Sequence, residues 1–537
     1  MDRSVRLRAD RVGAYGRTPS RTPALDSLAA EGALFEDASA PCPLTLPSHA
    51  SILTGLLPPR HGLRDNLAPR PLAGPKAREF ATLAETLRDA GYETAAFVSA
   101  APLSPRWGLD QGFGTYDAPP DGEVGEMSLS EREGAETVDR ALDWLRRRDR
   151  GRPFLLWVHL FDPHHPYRAP GSSGALPDSP EAYEEEVAHA DAQVGRLLRA
   201  LREDGALDRA VVVACADHGE GLGEHGEATH GYFLHRSTLR VPLLVRHPAR
   251  VKPGTRRRDP VSLVDVLPTI LDLAGRPVPR LVDGRPLFPS DGSIPAPSAA
   301  ASGQYAETLY GWLAFGWAQA VTLRDGPLRA IDHGGGRRQV FDLDADAGEE
   351  RPLPPERGAA LAEGAWALFR SPPLLATAAE GGPAPELSGI PYLTGHREPR
   401  TLDDARNAAC PLPSAPFLRR FETQMRVLDR IRADPAGDAK QVDEVLEALA
   451  VLDREEPGNP AIPFWEGRAL RLRAKILGAS FPESWRKAFF KFQEAGRRGY
   501  DDPRTVTLML EALHHGEKFP EMRRVAEAAV KQGMDGD

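Results

Sequence analysis

The chain has 537 residues and a formal net charge of −10, and its length favours one large α/β domain with an appended unit over three or four small domains. The negative charge argues against a broad nucleic-acid-binding or acidic-membrane surface, so an anionic ligand would need a local cation. The three cysteines, Cys42, Cys215 and Cys410, are widely spaced and support neither a disulfide framework nor a cysteine metal knuckle.

The first informative segment is TLPSHASILTG, from Thr45 to Gly55. Pro47 suits the first turn of a helix, where its missing N–H costs little, and Gly55 can end the helix. Thr45 would then lie at the positive end of the helix dipole, where backbone N–H groups favour a phosphate or sulfate group beside its hydroxyl. Threonine at this position is also a common N-cap, and the segment alone favours the cap.

Helical and apolar segments alternate between residues 80 and 275. The helix-like segments TLAETLRDAG, AETVDRALDWLRRR and AQVGRLLRALREDG each precede an apolar run, and VPLLV follows them. Strands that are apolar on both faces and separated by helices predict a parallel sheet covered on both sides, and therefore an α/β fold. Asp-Gly and Gly-Gly turns within residues 318–345 predict a small antiparallel subdomain on the same core.

Composition divides the remainder of the chain. Residues 356–412 are rich in proline, glycine and alanine, which is typical of a linking or wrapping segment. We therefore expect a catalytic domain at 1–355, this segment at 356–412 and a helical domain at 413–537. No apolar run reaches about 18 residues and the first residues lack the apolar core of a signal peptide, so we expect no integral membrane segment and, for the chain as written, a soluble, unexported protein.

The helical domain contains one repeat-like pattern. In AFFKFQEA, Ala488, Phe492 and Ala495 have the spacing of the second helix of a tetratricopeptide repeat (TPR), and Trp465 and Gly467 fit its first helix. A TPR-like tail would suit a protein partner. The interval between the two helices is long for that repeat, so a plain helical hairpin packed on the core is the alternative.

Two polar clusters follow strands of the predicted sheet. Asp162 and His164 come after VHLF, and Asp217 and His218 come after AVVVACA, with His230 further along the same segment. Ligands bind beyond the carboxyl ends of strands in such sheets, so the placement favours one common site over isolated structural roles.

A divalent cation held by Asp217, His218 and the hydroxyl of Thr45 would lower the pKa of that hydroxyl and offset charge on an ester during in-line displacement. Oxygen and imidazole ligands suit Zn²⁺ or Mn²⁺ and also admit Mg²⁺ or Ca²⁺. His164 and His230 are predicted to bind substrate oxygens or protonate the leaving group. Asp162 would belong to a second metal site, but one metal is favoured over two because only the first site has adjacent ligands.

The chain resembles the sulfatase-like branch of the alkaline phosphatase superfamily. The resemblance lies in RADRVGAYG, TLPSHASILTG, HLFDPHHPY, ADHGEGLGEHGE, RVPLLVRHP and FDLDADAGEERPL, in that order, over roughly residues 7 to 355. It implies an alkaline-phosphatase-like, doubly wound α/β fold with a small C-terminal sheet, a covalent ester intermediate and a bound divalent metal. It also implies that Thr45 is the nucleophile and that Asp217 and His218 are metal ligands.

The sequence departs from the sulfatase motif at the nucleophile. Sulfatases carry a cysteine or serine, oxidised to formylglycine, in C-x-P-S-R, whereas this chain has Thr45, and His49 replaces the arginine and is predicted to bind substrate. A formylglycine hydrate expels sulfate by collapsing to an aldehyde, but a sulfated threonine must await attack by water. Phosphothreonine can be attacked in line. We therefore expect phosphoester or phosphodiester cleavage, or phosphoryl-alcohol transfer, with sulfuric ester hydrolysis as the alternative.

A second departure lies at the start of the chain. The family has an apolar strand ending in a metal-binding aspartate five residues before the position of Asp10, where this chain has Val5. A start placed too far downstream explains this, with the missing strand upstream either directly at the true start or behind an export signal, and is favoured because the other motifs persist. The alternative is a degraded homologue that acts as a binding or scaffold protein through its helical tail.

Overall fold

The computed structural model describes residues 7–66, 81–120, 132–164, 167, 179–289, 304–315, 317–372, 374, 415–433, 439–477, 482–498 and 504–515. Val5 and Cys410 lie outside the described residues, as do most of the predicted linking segment and the chain beyond residue 515. In the described part no helix is both long enough and apolar enough to cross a bilayer.

The strands of the described chain are short and lie mainly before residue 345. They are β1 (Ala33–Ser39), β2 (Glu93–Phe97), β3 (Thr115–Asp117), β4 (Phe154–Val158), β5 (Val212–Cys215), β6 (Arg240–Arg246), β7 (Thr255–Arg257), β8 (Val261–Ser262), β9 (Ala306–Thr308), β10 (Ala320–Asp325), β11 (Leu328–Asp332) and β12 (Arg338–Asp342).

The described helices both separate these strands and form the end of the chain. They are α1 (Pro23–Glu31), α2 (Thr45–Thr54), α3 (Pro58–His61), α4 (Leu83–Asp89), α5 (Gly134–Arg147), α6 (Pro180–Glu203), α7 (Arg236–Leu239), α8 (Val266–Leu273), α9 (Tyr310–Phe315), α10 (Ala359–Phe369), α11 (Ala415–Ala433), α12 (Ala439–Glu455), α13 (Ala461–Leu477), α14 (Pro482–Arg497) and α15 (Arg504–His515).

The described strands of the α/β core fall into two sheets that share one hydrophobic core. One sheet is parallel and has the order β3-β2-β4. The other has the order β5-β6-β1-β7, with β8 also paired to β1. Strands alternate with helices and are buried on both faces, as in β5, so the predicted α/β class is confirmed.

The direction of β6 was predicted wrongly. The apolar run VPLLV was expected to join a parallel sheet, but β6 is antiparallel to both β1 and β5. A parallel neighbour would need a crossover that returns the chain to the opposite end of the sheet. Residues 216–239 instead fold at the carboxyl end of β5 and finish in the short helix α7, so β6 starts where β5 stops.

This antiparallel strand brings two segments of the site to one edge. Because β6 lies between β1 and β5 and runs against both, β1 and β5 are parallel to each other. Their carboxyl ends therefore face the same edge of the sheet. Helix α2 follows β1, and Asp217 follows β5, at that edge.

The C-terminal sheet is antiparallel, with the order β12-β11-β10-β9. Its strands β10 to β12 form the predicted hairpins within residues 318–345, and β9 extends the sheet. Helix α10 packs on it through Trp366 and Phe369, which share a buried cluster with Val321. The first part of the predicted segment 356–412 therefore wraps this sheet.

Helices α11–α15 form a C-terminal helical unit in which each helix packs on the next. A Cβ on Gly467 in α13 would lie 2.7 Å from the ring of Phe492 in α14, so the small residue allows these two helices to approach closely. The TPR-like character of the unit stays a prediction. Its hydrophobic core also includes Tyr232, Phe233 and Trp317, so the unit packs on the α/β domain.

Candidate active site

Helix α2 begins at Thr45 and is buried along its whole length. Leu44, in an extended conformation, occupies the N-cap position and forms no side-chain cap, so Thr45 is not the cap that the segment taken alone favours. Thr45 is the first helical residue and is 2% exposed. Gly55, with a φ of +68°, ends the helix as predicted.

The first turn of α2 receives a side chain that the sequence analysis did not identify. The N–H of Leu46 donates a hydrogen bond to Oδ1 of Asn66 at 2.9 Å, and the N–H of Ser48 donates to the carbonyl oxygen of Leu44 at 3.2 Å. Asn66 therefore takes part of the capping role that Thr45 does not fill. Nothing in the sequence pattern around Asn66 signals this contact.

The same turn contacts the segment after β5. Nδ1 of His49 lies 2.7 Å from the carbonyl oxygen of Thr45 and 3.6 Å from Oδ2 of Asp217. The hydroxyl of Ser48 donates to the carbonyl oxygen of Asp217 at 2.6 Å. His49 is completely buried, so these contacts favour a positioning role for it, and its predicted role in binding substrate stays a prediction.

Asp217 and His218 present two potential ligand atoms side by side. The backbone N–H of His218 donates to Oδ1 of Asp217 at 2.9 Å. Nδ1 of His218 lies 2.9 Å from the carbonyl oxygen of Gly219, so Nδ1 carries the proton and Nε2 keeps a lone pair. That Nε2 lies 3.5 Å from Oδ2 of Asp217.

This pair fits a divalent cation. Two ligand atoms at about 2.1 Å from one cation, with a tetrahedral angle between them, lie about 3.4 Å apart, which is close to the 3.5 Å that separates Nε2 from Oδ2. No group of three or more His, Cys, Asp or Glu side chains in the described residues is placed to hold a metal. The hydroxyl of Thr45, which the sequence predicts as a third ligand, is of a type that this set does not include.

His230 lies beside this pair. Its ring centroid is 4.4 Å from that of His218, and its Nδ1 is 2.9 Å from Oε1 of Glu220. Oε2 of Glu220 accepts a hydrogen bond from the hydroxyl of Tyr167 at 3.2 Å. Glu220 is completely buried. The motif Asp-His-Gly-Glu contains Glu220, but only the fold shows that it orients His230.

His164 joins the group less closely. Its ring centroid lies 6.3 Å from that of His230 and 3.8 Å from that of Phe161, on which it stacks. Its backbone N–H donates to Oε2 of Glu186 at 2.9 Å. The structure therefore brings the two predicted acid or base residues to the same side of the site.

Asp162 has a different contact. Its Oδ2 accepts a hydrogen bond from the N–H of Gly134, the first residue of α5, at 3.0 Å. Burial raises the pKa of the Asp162 carboxyl, although this N–H and the neighbouring His189 lower it. A carboxylate at the start of a helix is stabilised by the helix dipole. This contact favours a structural role, and a second metal site at Asp162 stays a prediction.

Glu224 and His225, which also follow Asp217 in the sequence, have their contacts with residues outside the candidate metal pair. Glu224 forms an ion pair with Arg8 at 2.7 Å, and Nη1 of Arg8 donates to the carbonyl oxygen of Glu220 at 3.2 Å. Burial alone would lower the pKa of Arg8, but Asp10 and Glu224 raise it. His225 stacks on His235, with ring centroids 3.8 Å apart.

Comparison with known proteins defines the class. A family model described as Sulfatase matches residues 6–276, just over half of the chain, and the chain belongs to this family. The curated protein described as uncharacterized sulfatase YidJ, from Escherichia coli strain K12, is 27% identical in an alignment 350 residues long that covers 51% of this chain and 67% of the relative.

Solved structures share the fold. One is the phosphonate monoester hydrolase of Agrobacterium radiobacter, with 21% identity and a TM-score of 0.53, covering 68% of this chain and 93% of the other. Another is BT4656 in complex with its substrate D-glucosamine-2-N,6-O-disulfate, with 20% identity and a TM-score of 0.56, covering 68% and 95%. Membership of the Sulfatase family makes the chain a sulfatase-superfamily hydrolase, in a family whose members are typically metal-dependent.

Proposed function

We propose that this protein cleaves phosphoesters or phosphodiesters, or transfers a phosphoryl-alcohol group, through a covalent intermediate on Thr45. The observation that carries the proposal is the junction of α2 with the end of β5. There, Thr45 begins a buried helix whose Ser48 and His49 contact Asp217. The positive end of the helix dipole favours an anionic group beside Thr45, and it does so through the dipole rather than through the N–H groups of Leu46 and Ser48, which already have acceptors in the protein.

In the first half of the reaction, Thr45 acts as the nucleophile. Its hydroxyl loses a proton to water, and its oxygen attacks phosphorus in line as the bond from phosphorus to the leaving alcohol breaks. His230, in its protonated form, gives a proton to the leaving alcohol. The Glu220 carboxylate at its Nδ1 stabilises that imidazolium.

In the second half, the phosphothreonine is released. His230 is now neutral, and because its Nδ1–H donates to Glu220, its lone pair lies on Nε2. This nitrogen takes a proton from the attacking water, or from an alcohol in the transfer reaction. As this oxygen bonds to phosphorus, the bond from phosphorus to Thr45 breaks, and the Thr45 oxygen takes a proton from water, which regenerates the hydroxyl.

We infer one divalent cation, Zn²⁺, Mn²⁺, Mg²⁺ or Ca²⁺, with Asp217, His218 and Thr45 as its ligands. Bound there, it would lower the pKa of the Thr45 hydroxyl and offset charge on the ester oxygens. The separation of Nε2 and Oδ2 supports the pair as ligands. One cation is favoured over two because Asp162 caps α5.

Threonine also supports the preference for phosphate. A threonine sulfate has no second hydroxyl with which to expel sulfate, whereas phosphothreonine can be attacked in line. A protein partner for the helical unit belongs to the same proposal, because the tetratricopeptide-like spacing of Ala488, Phe492 and Ala495 suits one.

The proposal is tested with p-nitrophenyl phosphate, bis(p-nitrophenyl) phosphate and p-nitrophenyl sulfate, each with Zn²⁺, Mn²⁺, Mg²⁺ and Ca²⁺. We expect a phosphate ester to be hydrolysed faster than the sulfate. Thr45→Ala should lower kcat by roughly 10³-fold or more, as removal of a nucleophile does, and mass spectrometry should find phosphate on Thr45 in the wild-type protein.

Thr54→Ala is the matched control, because Thr54 lies at the opposite end of the same helix and its hydroxyl bonds to the carbonyl oxygen of Ala50. It should retain activity. Equal activities of Thr45→Ala and wild type on every ester would refute the proposed nucleophile. Faster sulfate than phosphate release would instead support sulfuric ester hydrolysis. Complete inactivity with no bound metal would favour the scaffold alternative.

A further inference from the structure

The His230 loop, residues 219–233, lies between the candidate site and the C-terminal helical unit. On the site side, His230 bonds to Glu220, at the start of the loop. On the opposite side, helix α11 packs against residues 224–226. The loop is therefore in contact with two parts of the molecule that are distant in sequence.

A direct hydrogen bond joins the loop to α11. The hydroxyl of Thr229 donates to Oε1 of Glu422 at 3.0 Å, and Glu422 is 2% exposed. The carbonyl oxygen of Thr229 accepts from the N–H of Gly221 at 2.6 Å. Thr229 is thus fixed from two directions, and it immediately precedes His230.

The residues after His230 are held in the same way. Tyr232 and Phe233 belong to the hydrophobic core of the helical unit, together with Phe417 and Phe421 of α11. Their backbone N–H groups donate to Oε1 of Glu227 at 2.7 and 3.3 Å. The helical unit therefore holds the chain on both sides of His230.

Buried carboxyl groups from both parts of the molecule also meet here. Burial raises the pKa of the Glu227 carboxyl well above its usual range, and the neighbouring Glu422 and Glu220 raise it further. Carboxyl groups from the loop and from α11 therefore lie close enough to affect one another. A buried carboxylate is tolerated only with hydrogen-bond donors, and for Glu422 the hydroxyl of Thr229 is one such donor.

We propose that Glu422 is a positioning residue for His230: through Thr229, the C-terminal helical unit sets the place of the imidazole beside Glu220 and His218. This inference rests on the proposed role of His230 in proton transfer. A displacement of His230 by a few tenths of an ångström would lengthen its proton transfers and slow the reaction more than it would weaken substrate binding.

The test uses the full chain with Glu422→Ala, Thr229→Val and the double variant. We expect each single variant to lower kcat by roughly tenfold with KM nearly unchanged, and the double variant to be no slower than either. Glu422→Gln keeps an oxygen that can accept from Thr229 and should restore kcat. Hydrogen exchange of residues 219–233 should accelerate in Glu422→Ala and in Thr229→Val.

Glu455→Ala is the matched control. Glu455 accepts from Arg420 of α11 at 2.8 Å on the exposed side of the same helix pair, so its loss perturbs the helical unit without touching the loop. The proposal is overturned if Glu455→Ala slows the reaction as much as Glu422→Ala, or if the single effects multiply in the double variant.

The outcome separates this proposal from that on Thr45. If Thr45→Ala is as active as wild type, the nucleophile is wrong whatever Glu422 does. If no ester is hydrolysed by the wild-type protein, hydrogen exchange decides alone. Unchanged exchange of residues 219–233 in Glu422→Ala then overturns the positioning role, and faster exchange confined to that loop supports it.

Discussion

Gly231 offers the sharpest test of how closely the His230 loop and the start of α2 depend on each other. It follows His230 and has a φ of +105°. A Cβ at this position would lie 3.2 Å from Cδ2 of Leu44, the residue before Thr45, and 3.5 Å from the ring of Tyr310. Gly231→Ala should therefore disturb both sides of the site at once.

The expected energy has two parts. The first is the backbone: a left-handed conformation costs an alanine about 1–2 kcal/mol. The lower conformational entropy of the unfolded alanine variant offsets about 0.4–1 kcal/mol of this cost. Moving Leu44 off its preferred rotamer adds about 0.5–1.5 kcal/mol. Gly16→Ala isolates the first part, because Gly16 has a φ of +106° and open space around its Cβ position.

We expect Gly231→Ala to be less stable than Gly16→Ala by about 1 kcal/mol, and to lose roughly tenfold in kcat/KM, since the shift of a few tenths of an ångström reaches the catalytic groups. Gly16→Ala should keep wild-type kcat/KM. Thermal denaturation and steady-state kinetics on the best ester measure both. Equal kcat/KM for the two variants would refute the argument that the Leu44 contact aligns the site.

Three further predictions concern burial and charge. Burial lowers the pKa of His61 to about 3. The His61 imidazole therefore stays neutral in the folded state, whereas in the unfolded chain it gains a proton below about pH 6.5. His61 therefore gives stability that is complete above that pH and is lost as the pH falls toward 3. His61→Asn keeps an acceptor for the N–H of Leu63, and wild type should lose about 1.3 kcal/mol relative to this variant between pH 7 and about 5.5, as measured by denaturant unfolding; parallel curves would contradict this. Glu307→Gln removes the buried charge that pairs with the partly buried Arg64 through two contacts of 2.7 Å, and should cost about 3 kcal/mol, visible as a lower melting temperature; an unchanged melting temperature would mean that Arg64 is not held by this pair. Asp162→Asn should cost about 1 kcal/mol as a lost helix cap and leave the metal content of the purified protein unchanged, whereas a loss of one metal per chain would assign Asp162 to a second metal site.

The parts of the fold that could be predicted are those that local pattern determines. Pro47 and Gly55 define α2 because proline and glycine act within one turn of the chain, and the Gly-rich turns near residue 335 define hairpins for the same reason. The position of Asp217 followed from the general placement of ligands at strand ends.

The parts that could not be predicted depend on partners far away in sequence. The direction of β6 depends on how residues 216–239 fold, which no periodicity reports. Asn66 and Glu422 act through single hydrogen bonds to residues elsewhere in the chain. The segment taken alone favoured Thr45 as the cap because propensity describes an average helix start, whereas here Leu44 takes that position and the side chain of Asn66 reaches the first turn.

The antiparallel strand β6 carries none of the candidate catalytic residues, yet it determines how far apart the two strands lie that lead to Thr45 and Asp217. Leu243 pairs with Phe35 of β1 on one side and with Cys215 of β5 on the other. Since neighbouring strands lie about 4.8 Å apart, the strands that lead to Thr45 and Asp217 are separated by about twice that distance. The hydrogen-bond spacing of the polypeptide backbone thus fixes the distance between β1 and β5, which the contacts of Ser48 and His49 with Asp217 must span. Side-chain substitutions on β6 that keep its backbone hydrogen bonds to β1 and β5 can therefore change the packing of the core without changing this distance.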